Sequence, residues 1–116
     1  MAFLDARPLF PGHCLLVPRH HYEVFAELPR DLIGPLFENA QRLSQAVEVA
    51  MKAEGSFIAL NNRVSQSVAH LHIHIVPRRK KDGLKGFFWP RQAYADEAEI
   101  ARVQQALQAA ITKLKQ

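Results

Sequence analysis

The chain has 116 residues, 48% of them hydrophobic, with six histidines, one cysteine and a formal net charge of +4. That length suits a single domain, 1–116, around one core, and one cysteine rules out an internal disulfide framework and fits a reducing, cytoplasmic setting. No apolar stretch reaches the roughly 20 residues of a membrane span, Met1–Pro8 holds no secretory h-region, and the positive balance favours anionic ligands.

In chain order, the run Pro11-Gly12-His13-Cys14-Leu15-Leu16-Val17-Pro18 reads as a short apolar strand entered through a histidine. His20 and His21 follow Pro18 in a turn, and Cys14 reads as a small buried hydrophobe. A helix is expected where Leu36, Ala40, Leu43, Val47, Ala50 and Met51 recur at helical spacing, starting near Pro29 or Pro35 and stopping at Gly55. Ser56–Asn61 reads as a strand that leads into the loop Asn62–Gln66.

The next strand carries the message of the chain. In Val68-Ala69-His70-Leu71-His72-Ile73-His74-Ile75-Val76 the three histidines alternate with apolar residues, so a strand puts the imidazoles on one face and Leu71, Ile73 and Ile75 on the other. Neighbouring imidazoles then start about 6.6 Å apart and the outer pair about 13 Å apart, too far to share one metal ion. Two imidazolium ions about 6.6 Å apart repel by roughly 2.5 kcal/mol at an effective dielectric near 20, close to two pKa units. The row should therefore hold at least one neutral, nucleophilic imidazole near pH 7 beside one or two charged neighbours, which is the combination phosphoryl transfer uses.

The basic run Arg78-Arg79-Lys80-Lys81, followed by Lys85 and Arg91, suits either a solvated loop or a phosphate contact, with Arg78 the favoured candidate. Phe87-Phe88-Trp89-Pro90-Arg91 mixes aromatic and basic residues in the manner of nucleic-acid binders, but packing against the body or a partner subunit is the preferred reading. A last helix is expected from Asp96, with Glu99 at the capping-box position and Ile100, Val103, Leu107, Ile111 and Leu114 as its apolar stripe. The sum is an α+β domain, a mostly antiparallel sheet with one long helix packed on it and a C-terminal helix.

His70-Leu71-His72-Ile73-His74-Ile75-Val76 resembles the motif of the histidine triad superfamily. Pro11-Gly12-His13 with Leu15-Leu16-Val17-Pro18 is similar to the superfamily's upstream strand, Gln66-Ser67-Val68 to the lead into the triad, and Pro77-Arg78 to its exit, so the resemblance spans Phe3 to Arg78. It implies a hydrolase or transferase acting on the α-phosphate of nucleotides through a covalent nucleotidyl-histidine. By motif position, His72 would be the nucleophile, with its other ring nitrogen on a main-chain carbonyl, that of His70. His74 would bind phosphate oxygens, His70 and His13 would shape the network, and Ser67 would assist the leaving group. Asn61 and Gln66, with Arg78, would contact phosphate, and Asp5 would bind ribose. The same resemblance implies a homodimer whose sheet continues across two subunits, with Phe87-Phe88-Trp89 a candidate contact.

His74 stands where the hexose-phosphate transferases carry glutamine, which disfavours that branch. The stretch from Pro11 to Leu28 is similar to the fragile-histidine-triad branch of dinucleoside polyphosphate hydrolases, whereas Ser67 is typical of nucleoside phosphoramidases; the polyphosphate side is preferred. Two departures stand out: family members carry a further N-terminal segment with apolar base contacts, and Ser65 occupies a position where glycine is common. No cofactor is expected beyond a divalent ion carried by the substrate, and no protein metal site. The rival functions are a non-catalytic nucleotide-binding module and a metalloprotein using His13, His72 and a neighbour.

Overall fold

The computed structural model describes residues 1–84 and 91–114. Phe87, Phe88 and Trp89, together with Lys85, lie outside the described residues. The chain divides into two compact units, Met1–Leu84 and Lys85–Gln116.

The first unit is built on an antiparallel four-stranded sheet, β1 (Ala2–Leu4), β2 (Cys14–Leu16), β3 (Gly55–Ala59) and β4 (Ile73–Arg78), in the spatial order β1-β2-β4-β3. A long helix, α1 (Arg30–Met51), packs against β4 and β3. The triad strand is thus central, and its odd-numbered residues supply the core: Leu71, Ile73 and Ile75 have no exposed surface and meet Leu36, Ala40 and Val47 of α1. Each such aliphatic side chain contributes about 1.5–3 kcal/mol by leaving water. Pro77 fits in a central strand because the ladder to β2 ends at Ile75, so its missing N–H faces no partner there.

Two expected boundaries differ, the start of the triad strand and the end of the helix, while the helix start falls at one of the two expected prolines. Regular pairing of the triad strand starts at Ile73, not Val68, because Val68 N–H and His70 N–H are turned back onto the carbonyls of Gln66 and Val68. Arg63, Ser65 and Ser67 all take positive φ (68°, 59° and 50°), which folds 62–70 into left-handed turns that no ladder can use. Ser65, where glycine is common in the resembling family, therefore sits in a conformation that glycine favours. The helix begins at Arg30 directly after Pro29 and carries Pro35 in its second turn, held there by burial of the following apolar stripe. Its end is a left-handed Lys52 (φ 50°), whose N–H caps the Glu48 and Val49 carbonyls, while Gly55 opens β3.

Gly12 has φ 98°, and a Cβ there would lie 2.6 Å from Met51 Cγ, so only glycine brings the β1–β2 loop against the end of α1. That contact seats His13, the next residue.

In the second unit, α2 runs over Glu97–Leu114. Asp96 Oδ1 accepts from Glu99 N–H at 2.8 Å, the cap its sequence predicts, while Glu99 Oε1 accepts from Ala95 N–H at 3.2 Å rather than from the Asp96 N–H of a full capping box. Among the described residues no helix is long and apolar enough to cross a membrane.

Candidate active site

Strand register decides which side chains meet. Phe3 pairs with Leu15, Leu15 with His74 and His74 with Ala59, so these four form one row across the sheet on the face opposite the helix. On this face lies a cavity of about 390 Å³, lined by His70, His72, His74, Ser67 and Asp5, with Arg7 at its loop side and Phe3, Leu15, Val17 and Val68 as an apolar wall. His13 stands behind His74, its Nε2 3.0 Å from His74 Nδ1.

Fixed backbone groups set the proton on each ring. Leu9 N–H donates to His13 Nδ1 at 3.1 Å, so that nitrogen is bare and His13 Nε2 bears the hydrogen. His13 Nε2–H then donates to His74 Nδ1, which leaves His74 Nε2–H as a donor. His72 Nδ1 lies 2.7 Å from the His70 carbonyl; an oxygen there only accepts, so Nδ1 carries a proton, and in the neutral ring the lone pair is then on Nε2. His70 Nε2 approaches the Pro18 carbonyl at 3.3 Å, and His70 Nδ1 then accepts from His21 Nδ1–H at 3.1 Å. His21, read from sequence as a turn residue, thus holds the ring of His70 with an 18° stack.

Burial, the largest influence, pushes His13 below the ordinary imidazole range against the opposing pull of Asp5, whose carboxylate is 3.6 Å away. His74 is lowered chiefly by burial as well, then by His72 and His13, with Asp5 again opposing. This corrects the expectation of charged neighbours in one respect. His74 is driven towards neutrality, so what it offers an anion is an N–H rather than a net charge.

Three expected phosphate contacts are committed elsewhere. Gln66 is buried, donating to the Glu23 carbonyl and accepting from Arg63 N–H, which makes it the internal strut of the 62–70 loop. Asn61 Nδ2 donates to the Ser65 carbonyl in the same loop. Arg78 is gripped by both Asp82 oxygens and the Leu84 carbonyl, at the other end of β4 from His74. None of the three lines the cavity. Sequence reading missed Arg7, Phe3, Leu15 and Val17; the last two were legible, since alternation from His13 puts them on its face.

Asp5, His13 and His74 offer three possible metal-ligand atoms within 4.8 Å of one another. The donor set does not suit an ion, because Leu9 N–H fixes the hydrogen on His13 Nε2, the nitrogen that would have to bind it. The expected alternative set of His13, His72 and a neighbour is not brought together in this cluster, from which His72 is absent.

The model of the HIT domain family matches residues 1–81. The chain belongs to the HIT family. Over 100 residues it is 42% identical to an uncharacterised HIT-like protein of Saccharolobus solfataricus, covering 84% of this chain and 72% of that one. It is 32% identical over 83 residues to a bis(5'-nucleosyl)-tetraphosphatase of Schizosaccharomyces pombe, a match that covers 70% of this chain but 46% of that protein. The crystal structure of a HIT family member from Bacillus subtilis superposes with a TM-score of 0.81 at 30% identity, covering 93% of this HIT chain and 79% of that one. The fold and the superfamily therefore agree with the histidine pattern.

Proposed function

We propose that this HIT domain is a nucleotide hydrolase that attacks the α-phosphate of dinucleoside polyphosphates or nucleoside phosphoramidates and releases a nucleoside monophosphate. The observation that carries the reading is the 2.7 Å contact between His72 Nδ1 and the His70 carbonyl, which leaves the Nε2 lone pair as the group free to form a bond.

In this reading His72 Nε2 bonds to phosphorus as the bond from phosphorus to the leaving oxygen or nitrogen breaks, and the electron pair departs with the leaving group. The ring becomes cationic, and its Nδ1–H stays on the His70 carbonyl. His74 Nε2–H holds a phosphate oxygen, His13 holds His74, and Ser67, on the cavity wall, gives a proton to the leaving group. Water then attacks phosphorus and passes a proton to Ser67, replacing the one it gave, while the P–N bond breaks with its electron pair returning to Nε2, which restores the neutral imidazole. Positioning of this kind is worth roughly 7–11 kcal/mol of barrier. Asp5 faces the same cavity and is assigned the ribose, with the apolar wall of Phe3, Leu15 and Val17 beside it.

The test follows nucleoside monophosphate release from diadenosine polyphosphates and adenosine phosphoramidate by the parent chain and by His72→Ala. The parent turns over at least one of them, and His72→Ala loses about 10³-fold or more. Turnover retained by His72→Ala removes the mechanism.

A further inference from the structure

The cavity must receive a polyanion, yet the phosphate contacts that the sequence promised for this task are tied up or distant. Arg78 is held by Asp82, Gln66 and Asn61 brace their own loop, and His13 and His74 are pushed towards neutral by burial. Arg7 is the one arginine or lysine among the described residues that line the cavity. We infer that Arg7 binds the phosphates beyond the α-phosphate, and that the cavity selects substrates whose leaving group is a phosphate chain over those whose leaving group is an amine. This inference rests on the reading of the cavity as a nucleotide site.

The loop is built to present that residue. Asp5 N–H donates to the His13 carbonyl at 2.9 Å, Arg7 N–H donates to Asp5 Oδ1 at 2.9 Å, and Leu9 N–H reaches His13 Nδ1. Pro8 biases the Arg7 backbone away from helical geometry, and the bond from Arg7 N–H to Asp5 ties the two residues together at the main chain, with the Arg7 side chain exposed at the cavity. The N–H bond from Arg7 also draws on the Asp5 oxygen other than the one facing His13. Asp5 and Arg7 thereby share the cavity as an acid beside a base whose fork suits two phosphate oxygens at once. An amine leaving group has no use for such a fork. A di- or triphosphate leaving group needs it, because each added phosphate brings negative charge that no other arginine or lysine of the cavity lining is there to balance.

Equilibrium binding of AMP, ADP and ATP at low salt, by competition against a fluorescent adenine nucleotide, tests this without turnover. In the parent chain affinity climbs with each phosphate. In Arg7→Gln the ATP:AMP affinity ratio falls about tenfold, the size of one charge-assisted hydrogen bond to an anion. Lys80→Gln, which removes the same charge from the exposed basic run outside the cavity, keeps the parent ratio. A thermal melt shows whether Arg7→Gln folds as the parent does; the altered side chain is exposed, so it should. Overturning results are a parent ratio near one, an Arg7→Gln ratio equal to the parent's, or a Lys80→Gln ratio that falls as far. A dependence on Arg7 together with turnover that survives His72→Ala would sink the proposed mechanism and leave this inference standing.

Discussion

The two ends of β4 make a useful contrast. At one end, His72 and His74 spend one nitrogen each on the protein and keep the other for the cavity. At the other, Arg78 spends its guanidinium on Asp82 and Leu84, and the Arg79 guanidinium reaches the Met51 carbonyl. The basic end has more charge and less chemistry. A group can act on a substrate only with atoms the fold has not already used, and a count of charges in a sequence does not reveal which those are.

That contrast can be broken most forcefully at His74. His74→Ala removes the donor at the phosphate and the acceptor for His13, and should lower kcat by about 10²–10³-fold, as loss of one preorganised donor does elsewhere. Steady-state rates near neutral pH check it, and a loss below about threefold would show that His74 does not touch the reacting phosphate.

A pH series sharpens the same end. His13 and His74 have lowered folded values, so the folded chain binds protons less readily than the unfolded chain. Their contribution to stability is complete above the unfolded imidazole value of about 6.5 and is lost as pH falls below it. Urea midpoints should hold above that value and drop beneath it, and His74→Ala should flatten the drop. A stability that rises as pH falls through this window would reverse the assignment.

The smallest expected effect lies at the basic end. Asp82 is held well below the usual carboxylate range, first by its hydrogen bonds from Arg78 and then by the Arg79 and Leu84 amides. Asp82→Asn should lower the melting temperature by a few degrees while kcat/KM stays at the parent value. A loss of activity matching that of His74→Ala would make the corner part of the site after all.

Much of this was legible beforehand. Period-two alternation placed Leu71, Ile73 and Ile75 in the core and the histidines opposite, and helical spacing found Leu36, Ala40 and Val47. The cap at Asp96 and Glu99 was equally plain. The left-handed turns at Arg63, Ser65 and Ser67 were not, because such residues carry no glycine signature and their φ is imposed by the bonds of Gln66 to Glu23 and Arg63. Asp82, four residues after Arg78, was in view, but a salt bridge at that spacing matters only once the chain turns back to form it. Arg7 went unnoticed for a simpler reason. A lone arginine between alanine and proline has no pattern, and only the hairpin that carries Asp5 over to His13 gives it a place.

The measurement that bears most directly on the account is a single-turnover reaction, quenched within the first turnover and mapped by peptide mass. The account predicts one nucleoside monophosphate joined through phosphorus to His72, formed before free monophosphate appears and absent from His72→Ala. An adduct on another residue, or release of monophosphate with no adduct at any time during the turnover, would contradict it.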